Sequence, residues 1–215
     1  MSVWIVVVAA GSGTRFGGPK QYELLGSTRI VDRSVATSCR VSDRVALVVA
    51  AHDLEDVRAQ FRANAKVVVV AGGATRSASA RGGLAAVSDD AEVIVVHDAA
   101  RPLASEGLFQ QVIAAIQAGA DAAVPGIAVA DTLRRLDGGI VDRAGVVAVQ
   151  TPQAFRALML RRAHHDEPEA SDDATLVEMI GGKVVIVAGE TSNFKITTAH
   201  DLAVARMMVA DEGAS

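Results

Sequence analysis

The sequence predicts an α/β fold, a mostly parallel sheet flanked by helices, with a β-hairpin arm protruding from it. Three observations carry that expectation. Four short runs rich in Val and Ile, at residues 3–9, 44–51, 66–71 and 92–97, are apolar without alternation, as strands buried on both faces are. Segments of helical spacing separate them, and strand, helix, strand in succession builds parallel pairs through right-handed crossovers. After Gly119 the rhythm changes: residues 122–125, 131–136 and 146–150 have strand composition with no helix between them, and Asp137-Gly138-Gly139 is a turn signal in their midst.

Taken in order, the first strand runs into a glycine-rich loop and is followed by a helix over 30–39, where Cys39 reads as a buried residue. Strand 44–51 leads to helix 53–61, strand 66–71 to helix 77–87, and strand 92–97 to helix 106–118, each strand ending in a loop that holds Gly or Asp. Beyond the extended segments lie helices over 155–164 and 173–180, a strand over 183–188, and a closing helix over 199–209 with Thr198 as its cap. The chain shows no repeat, low-complexity tract or linker, so residues 1–215 read as one domain with residues 131–150 as its arm. A hairpin with no helix to return it to a parallel sheet either folds back on its own sheet, the simpler account of the residues alone, or finds a partner edge in a homodimer.

With 215 residues, 50% of them hydrophobic and 21% charged, the chain can fill the core of one compact domain. A net charge of -4 and 3% aromatic residues argue against a surface that coats nucleic acid, so a nucleotide bound here would be a free one. The single cysteine cannot form an internal disulfide, and no Cys/His spacing makes a zinc site. The longest apolar run, residues 3–10, is too short to span a bilayer, and no basic segment precedes it as a secretory signal requires. These features predict a soluble cytoplasmic protein without membrane partners.

The first strand is followed by Gly11-Ser12-Gly13-Thr14-Arg15-Phe16-Gly17-Gly18-Pro19-Lys20, at the carboxyl end of the sheet where open α/β folds bind ligands. Two phosphate-binding templates fail here. The dinucleotide pattern G-x-G-x-x-G finds Phe16 at its third glycine, and the P-loop is broken by Pro19 before the lysine and by Gln21 at the magnesium-binding hydroxyl position. The glycines alone fit a plain tight turn as well as an anion cradle. Arg15 and Lys20 shift the balance toward a polyphosphate site.

Other strand ends gather at the same edge. In His97-Asp98-Ala99-Ala100-Arg101-Pro102, Asp98 suits a ribose hydroxyl or a metal and Arg101 a phosphate, although a loop salt bridge between the two is the simpler account; His97 reads as packed. Residues 72–79 open a helix, and either its amides face a ligand or Thr75 or Ser77 merely caps it. Lys195 follows the last strand and, taken alone, is a surface lysine. Residues 151–153 and 171–174 are turn and helix-start signals near strand ends. Adjacent His164 and His165 would point about 100° apart on a helix, poor geometry for a metal, and read as surface residues. No G-x-S-x-G elbow occurs.

In order, Ala9-Ala10-Gly11-Ser12-Gly13-Thr14-Arg15, Pro19-Lys20-Gln21, Gly72-Gly73, Val96-His97-Asp98-Ala99-Ala100-Arg101-Pro102, Asp131-Thr132, Thr151-Pro152-Gln153, Asp172-Asp173-Ala174 and Phe194-Lys195-Ile196-Thr197 closely resemble the 2-C-methyl-D-erythritol 4-phosphate cytidylyltransferase family of the non-mevalonate isoprenoid pathway. The resemblance spans essentially the whole chain. The first block is shared by many nucleotidyltransferases, whereas the H-D-A-A-R-P, T-P-Q and F-K-I-T blocks narrow the choice. The resemblance implies a Rossmann-like sheet of the nucleotide-diphospho-sugar transferase type. It further implies transfer of a cytidylyl group from CTP to the polyol phosphate, with Mg2+ carried mainly by the CTP phosphates.

By that resemblance Arg15 and Lys20 stabilise the transition state and leaving diphosphate, and Lys195 and Arg143 position the attacking phosphate. Ala9, Ala10, Gly11, Gly73, Ser79 and Asp98 contact the cytidine, Asp98 on the ribose side; Gly13, Arg101, Thr132, Thr151 and Ser171 complete the substrate-binding set. Thr132 and Arg143 lie on the arm, which in this family crosses to a partner subunit. The chain departs from the family pattern at Val8, where a proline is usual, at a shortened loop between Arg15 and Pro19, at Ala74 for a polar residue, and at Arg134 for a lysine. Rival readings are a ribitol 5-phosphate cytidylyltransferase, a sugar- or molybdopterin-phosphate nucleotidyltransferase using another base, and a nucleotide-sensing module. The last requires lost catalytic cations, yet Arg15, Lys20 and Lys195 are present.

Overall fold

The computed structural model describes residues 1–212. The first half alternates as expected: β1 (Val3–Val8), a short β2 (Leu24–Leu25) and β3 (Thr28–Arg29) hairpin, α1 (Ile30–Val41), β4 (Arg44–Val49), α2 (Leu54–Phe61), β5 (Val67–Ala71), α3 (Arg76–Leu84), β6 (Val93–Asp98) and α4 (Glu106–Gln117). The second half contains β7 (Ala122–Ala128), β8 (Leu133–Arg134), β9 (Ile140–Val141), β10 (Val147–Val149), β11 (Gln153–Arg156), α5 (Ala157–Ala163), α6 (Asp173–Met179), β12 (Val184–Ala188) and α7 (Ala199–Glu212). The main sheet runs β10-β7-β11-β6-β1-β4-β5, with β12 joined in parallel to β7. Pairs β6-β1, β1-β4 and β4-β5 are parallel; β11 is antiparallel to both β6 and β7.

The unbroken apolar character of the parallel strands has the expected cause. Along β1, Ile5 and Val7 enter a core with Val35 of α1 and Leu108, Phe109 and Val112 of α4, while Trp4 and Val6 enter a second core with Leu84 of α3, Leu160 of α5 and Leu176 of α6. Successive side chains point to opposite faces, and helices cover both. A third, smaller core joins Leu25 and Ile30 to Ile196, Leu202 and Ala205, and so seats α7 and the segment before it. Thr198 caps α7 by accepting the Asp201 amide, and the Asp201 carboxylate accepts the amides of Thr197 and Thr198 in return.

Four expectations need correction. Residues 153–156 are strand β11, and the helix read from residue 155 starts at Ala157. Four residues are too few for alternation to be told from the first turn of a buried helix. Residues 147–149 pair with β7 and belong to the sheet, so the hairpin that leaves it is the smaller β8-β9 unit, turned by Gly138 and Gly139 at φ +108° and +84°. His164 is buried against Asp173, although its neighbour His165 is exposed. Cys39 is half-buried; burial pushes its thiol pKa up, offset in part by Asn64. Among the described residues no helix is long and apolar enough to cross a membrane.

Candidate active site

The loop after β1 is shaped by its own backbone. Gly13 sits at φ +66°, and its carbonyl accepts the amides of Phe16, Gly17 and Gly18 at 2.8, 3.0 and 3.3 Å. A Cβ there would lie 1.8 Å from the Gly18 carbonyl oxygen, so the turn needs glycine. With the outer half of the loop folded onto that one carbonyl, the amides of residues 11–15 make no hydrogen bond to any described residue, and all five residues line a cleft of about 390 Å³. Consecutive unpaired amides in a curved loop form an anion-binding concavity. The opposite wall comes from the turn into α3, where Thr75 caps the helix and a Cβ on Gly73 would meet Ala78 Cβ at 2.5 Å. Ser79 lines the cleft but spends its hydroxyl on that turn, accepting from the Gly73 amide and donating to the Thr75 carbonyl at 2.8 Å.

Asp98 ends β6 on the cleft wall and is the only carboxylate among the described residues that line it, in company with Arg15, Lys20, Arg76 and Lys195. Lys195 Nζ lies 2.6 Å from Asp98 Oδ2, and Arg76 Nε lies 3.5 Å from Oδ1. Burial raises the cost of ionising Asp98, but Lys195 and Arg76 outweigh it and hold the carboxyl well below the usual range. Burial, with Lys195 and Arg15 nearby, lowers the pKa of Lys20. A desolvated cation beside other cations is poised to gain from an incoming polyanion.

The structure sorts the expected residues. Arg15, Lys20, Lys195, Ala9, Ala10, Gly11, Gly13, Gly73, Ser79 and Asp98 line the cleft together. Arg101 stands outside the lining; its guanidinium donates to the Asn193 carbonyl at 2.7 Å and so holds the Lys195 segment. Thr151 is buried behind the cleft, where its hydroxyl oxygen accepts the Asp98 amide at 3.0 Å. Ser171 is exposed ahead of α6 and outside the lining. Thr132 and Arg143 are exposed on the arm, away from their own chain's cleft, with the Arg143 guanidinium on the Ala130 carbonyl. These five positions therefore lie outside the lining of this chain's own cleft. Sequence reasoning passed over Arg76, which opens α3 within the 72–79 motif; spacing alone does not tell which way a helix's first side chain turns.

The donor set bears on a metal. No group of three or more His, Cys, Asp or Glu able to hold one occurs among the described residues. A single wall carboxylate suits an ion that arrives on a triphosphate, which would supply the remaining oxygens.

Comparison with known proteins agrees with this geometry. A family model described as 2-C-methyl-D-erythritol 4-phosphate cytidylyltransferase matches residues 3–211. A protein of that name from Rhodococcus opacus (strain B4) is 42% identical, over 97% of this chain and 95% of its own. A bifunctional enzyme IspD/IspF from Clavibacter michiganensis is 41% identical over 98% of this chain and 55% of its own length. The crystal structure of 2-C-methyl-D-erythritol 4-phosphate cytidylyltransferase from Thermus thermophilus superposes with a TM-score of 0.81 at 34% identity, covering 98% of this chain and 100% of that one. With a glycine-shaped loop of unpaired amides, four cations and one carboxylate among the described residues of its cleft, and this match along nearly its whole length, the chain belongs to the 2-C-methyl-D-erythritol 4-phosphate cytidylyltransferase family.

Proposed function

We propose that this cytidylyltransferase, which converts CTP and 2-C-methyl-D-erythritol 4-phosphate to 4-diphosphocytidyl-2-C-methyl-D-erythritol and diphosphate, works in the cleft between the β1 loop and the start of α3. The observation that carries the assignment is the row of five unpaired amides at residues 11–15, flanked by cations, at the sheet edge. The amides hold the triphosphate. A phosphate oxygen of the acceptor attacks the α-phosphorus, the new oxygen–phosphorus bond forms, and the bond to the bridging oxygen breaks, its electron pair leaving with diphosphate. The nucleophile is already an anion, so no general base is needed. Protein groups then act by position and charge: Arg15 and Lys20 face the charge that grows on the leaving group, and Lys195 orients the acceptor phosphate.

Mg2+ bound to the triphosphate would supply further charge neutralisation, and Asp98, the one carboxylate among the described lining residues, would be its protein ligand. Arg143 and Thr132 act from a partner subunit, in a cytoplasmic homodimer built through the arm. A direct assay follows diphosphate release from CTP with methylerythritol phosphate or ribitol 5-phosphate as acceptor. Turnover should require the first acceptor and a divalent cation, cease with EDTA and return with magnesium. Equal use of ribitol 5-phosphate, or full activity in exhaustively chelated buffer, would overturn the acceptor or the metal assignment respectively.

A further inference from the structure

Behind the cleft, four contacts form one continuous chain. His164 Nε2 lies 3.0 Å from Asp173 Oδ1; Asp173 Oδ2 accepts from Arg76 Nη1 at 2.8 Å; Arg76 Nε lies 3.5 Å from Asp98 Oδ1; and Asp98 Oδ2 is 2.6 Å from Lys195 Nζ. The chain starts in the helical layer, where His164 and Asp173 are buried between α5 and α6, and ends on the cleft wall. Burying a full carboxylate is costly unless its oxygens are satisfied, and an apolar side chain there would stabilise the core at least as well. Asp173 uses both oxygens, one on each partner, and neither partner is replaced by solvent: the side chain is 0% exposed.

The geometry has a functional reading. Arg76 stands between two carboxylates and makes its closer contact with the buried one, so Asp173 draws the guanidinium back from Asp98. One Asp98 oxygen is thereby left to Lys195. Without Asp173, Arg76 would be free to pair fully with Asp98 and displace the lysine. His164 fixes the second oxygen of Asp173 and with it the direction of the first. We infer that Asp173 and His164 are positioning residues for the transfer reaction, acting through Arg76 on the Asp98–Lys195 pair. This inference rests on the roles proposed above for Asp98 and Lys195.

Steady-state kinetics of purified variants test it, with thermal melts to verify folding. Asp173→Asn should lower kcat by about tenfold or more, leaving the KM for CTP within about threefold. His164→Leu should lower kcat by about fivefold, whereas His164→Gln, which restores a donor near Nε2, should stay within about twofold of the parent. In an Arg76→Ala background neither Asp173→Asn nor His164→Leu should cause further loss, because the relay is already cut. Full turnover in folded His164→Leu and Asp173→Asn proteins, or losses that multiply with Arg76→Ala, would overturn the inference as a packing effect. If Asp173→Asn does not fold, the His164 variants with and without Arg76→Ala decide by the same criteria. Lys195→Ala separates the two levels. Unchanged turnover there would sink the site assignment itself, while a large loss beside unaffected His164 and Asp173 variants would sink only the relay.

Discussion

Lys20 and Arg15 line the cleft with the unpaired amides, and in the proposed reaction the charge they face increases as diphosphate departs. Lys20→Ala and Arg15→Ala should therefore lower kcat far more than they weaken CTP binding, each costing roughly 3 kcal/mol or a hundredfold in rate. A rise in the KM for CTP with kcat unchanged would assign them to ground-state binding. His97 has a different task. It is buried against Phe109 with Nδ1 3.2 Å from the Thr151 hydroxyl, and burial pushes its pKa down from 6.5 to about 4. Between those values the unfolded chain binds a proton that the folded chain refuses, so stability is lost as pH falls through this window, amounting to about 3 kcal/mol near pH 4. Denaturant titrations from pH 7 to pH 4 should show a shallower decline in His97→Gln than in the parent; parallel curves would contradict it. The packed state of His97 was legible in the sequence, because it continues a buried strand. The burial of His164 was not: the i, i+1 pair argues against a metal but does not tell which of the two turns inward.

Elements with local signatures were readable. Thr75 and Thr198 stand at helix starts and cap them, since a short hydroxyl side chain satisfies an otherwise orphaned amide. Strand β11 carried no such mark, and its place between β6 and β7 is a tertiary decision that buries Ala154 and Phe155 completely. The β8-β9 hairpin was legible through its Asp-Gly-Gly turn, but it leaves Leu136 and Ile140 exposed in the single chain. Exposed apolar residues on an unsupported hairpin suit a second subunit. If Arg143 serves the partner's cleft, refolding Lys20→Ala together with Arg143→Ala gives mixed dimers with one site free of both lesions. About a quarter of all sites should then recover under random pairing of equal amounts. No recovery despite demonstrated subunit exchange would eliminate the exchanged arm.

For the molecule as a whole, the parallel half of the sheet was legible because strands covered on both faces need unbroken apolar runs, and the cleft followed from where those strands end. The antiparallel half was obscure because β10 and β11 are only three and four residues long, too short for their periodicity to be read. The position of Lys195 has a consequence for biosynthesis. It meets Asp98 across a sequence separation of 97 residues, on a segment tied down by the Asn193 side chain on the Thr151 carbonyl and by the Ile196 amide on the Ala100 carbonyl. Chains fold from the N-terminus as they emerge, at roughly 5–20 residues per second. Every described residue of the cleft lining other than Lys195 precedes residue 101, so that wall is translated seconds before Lys195. With the roles proposed above, a nascent or truncated chain ending short of residue 195 would have the amides of the β1 loop without the group that orients the second substrate, and transfer would be withheld until the last loop docks.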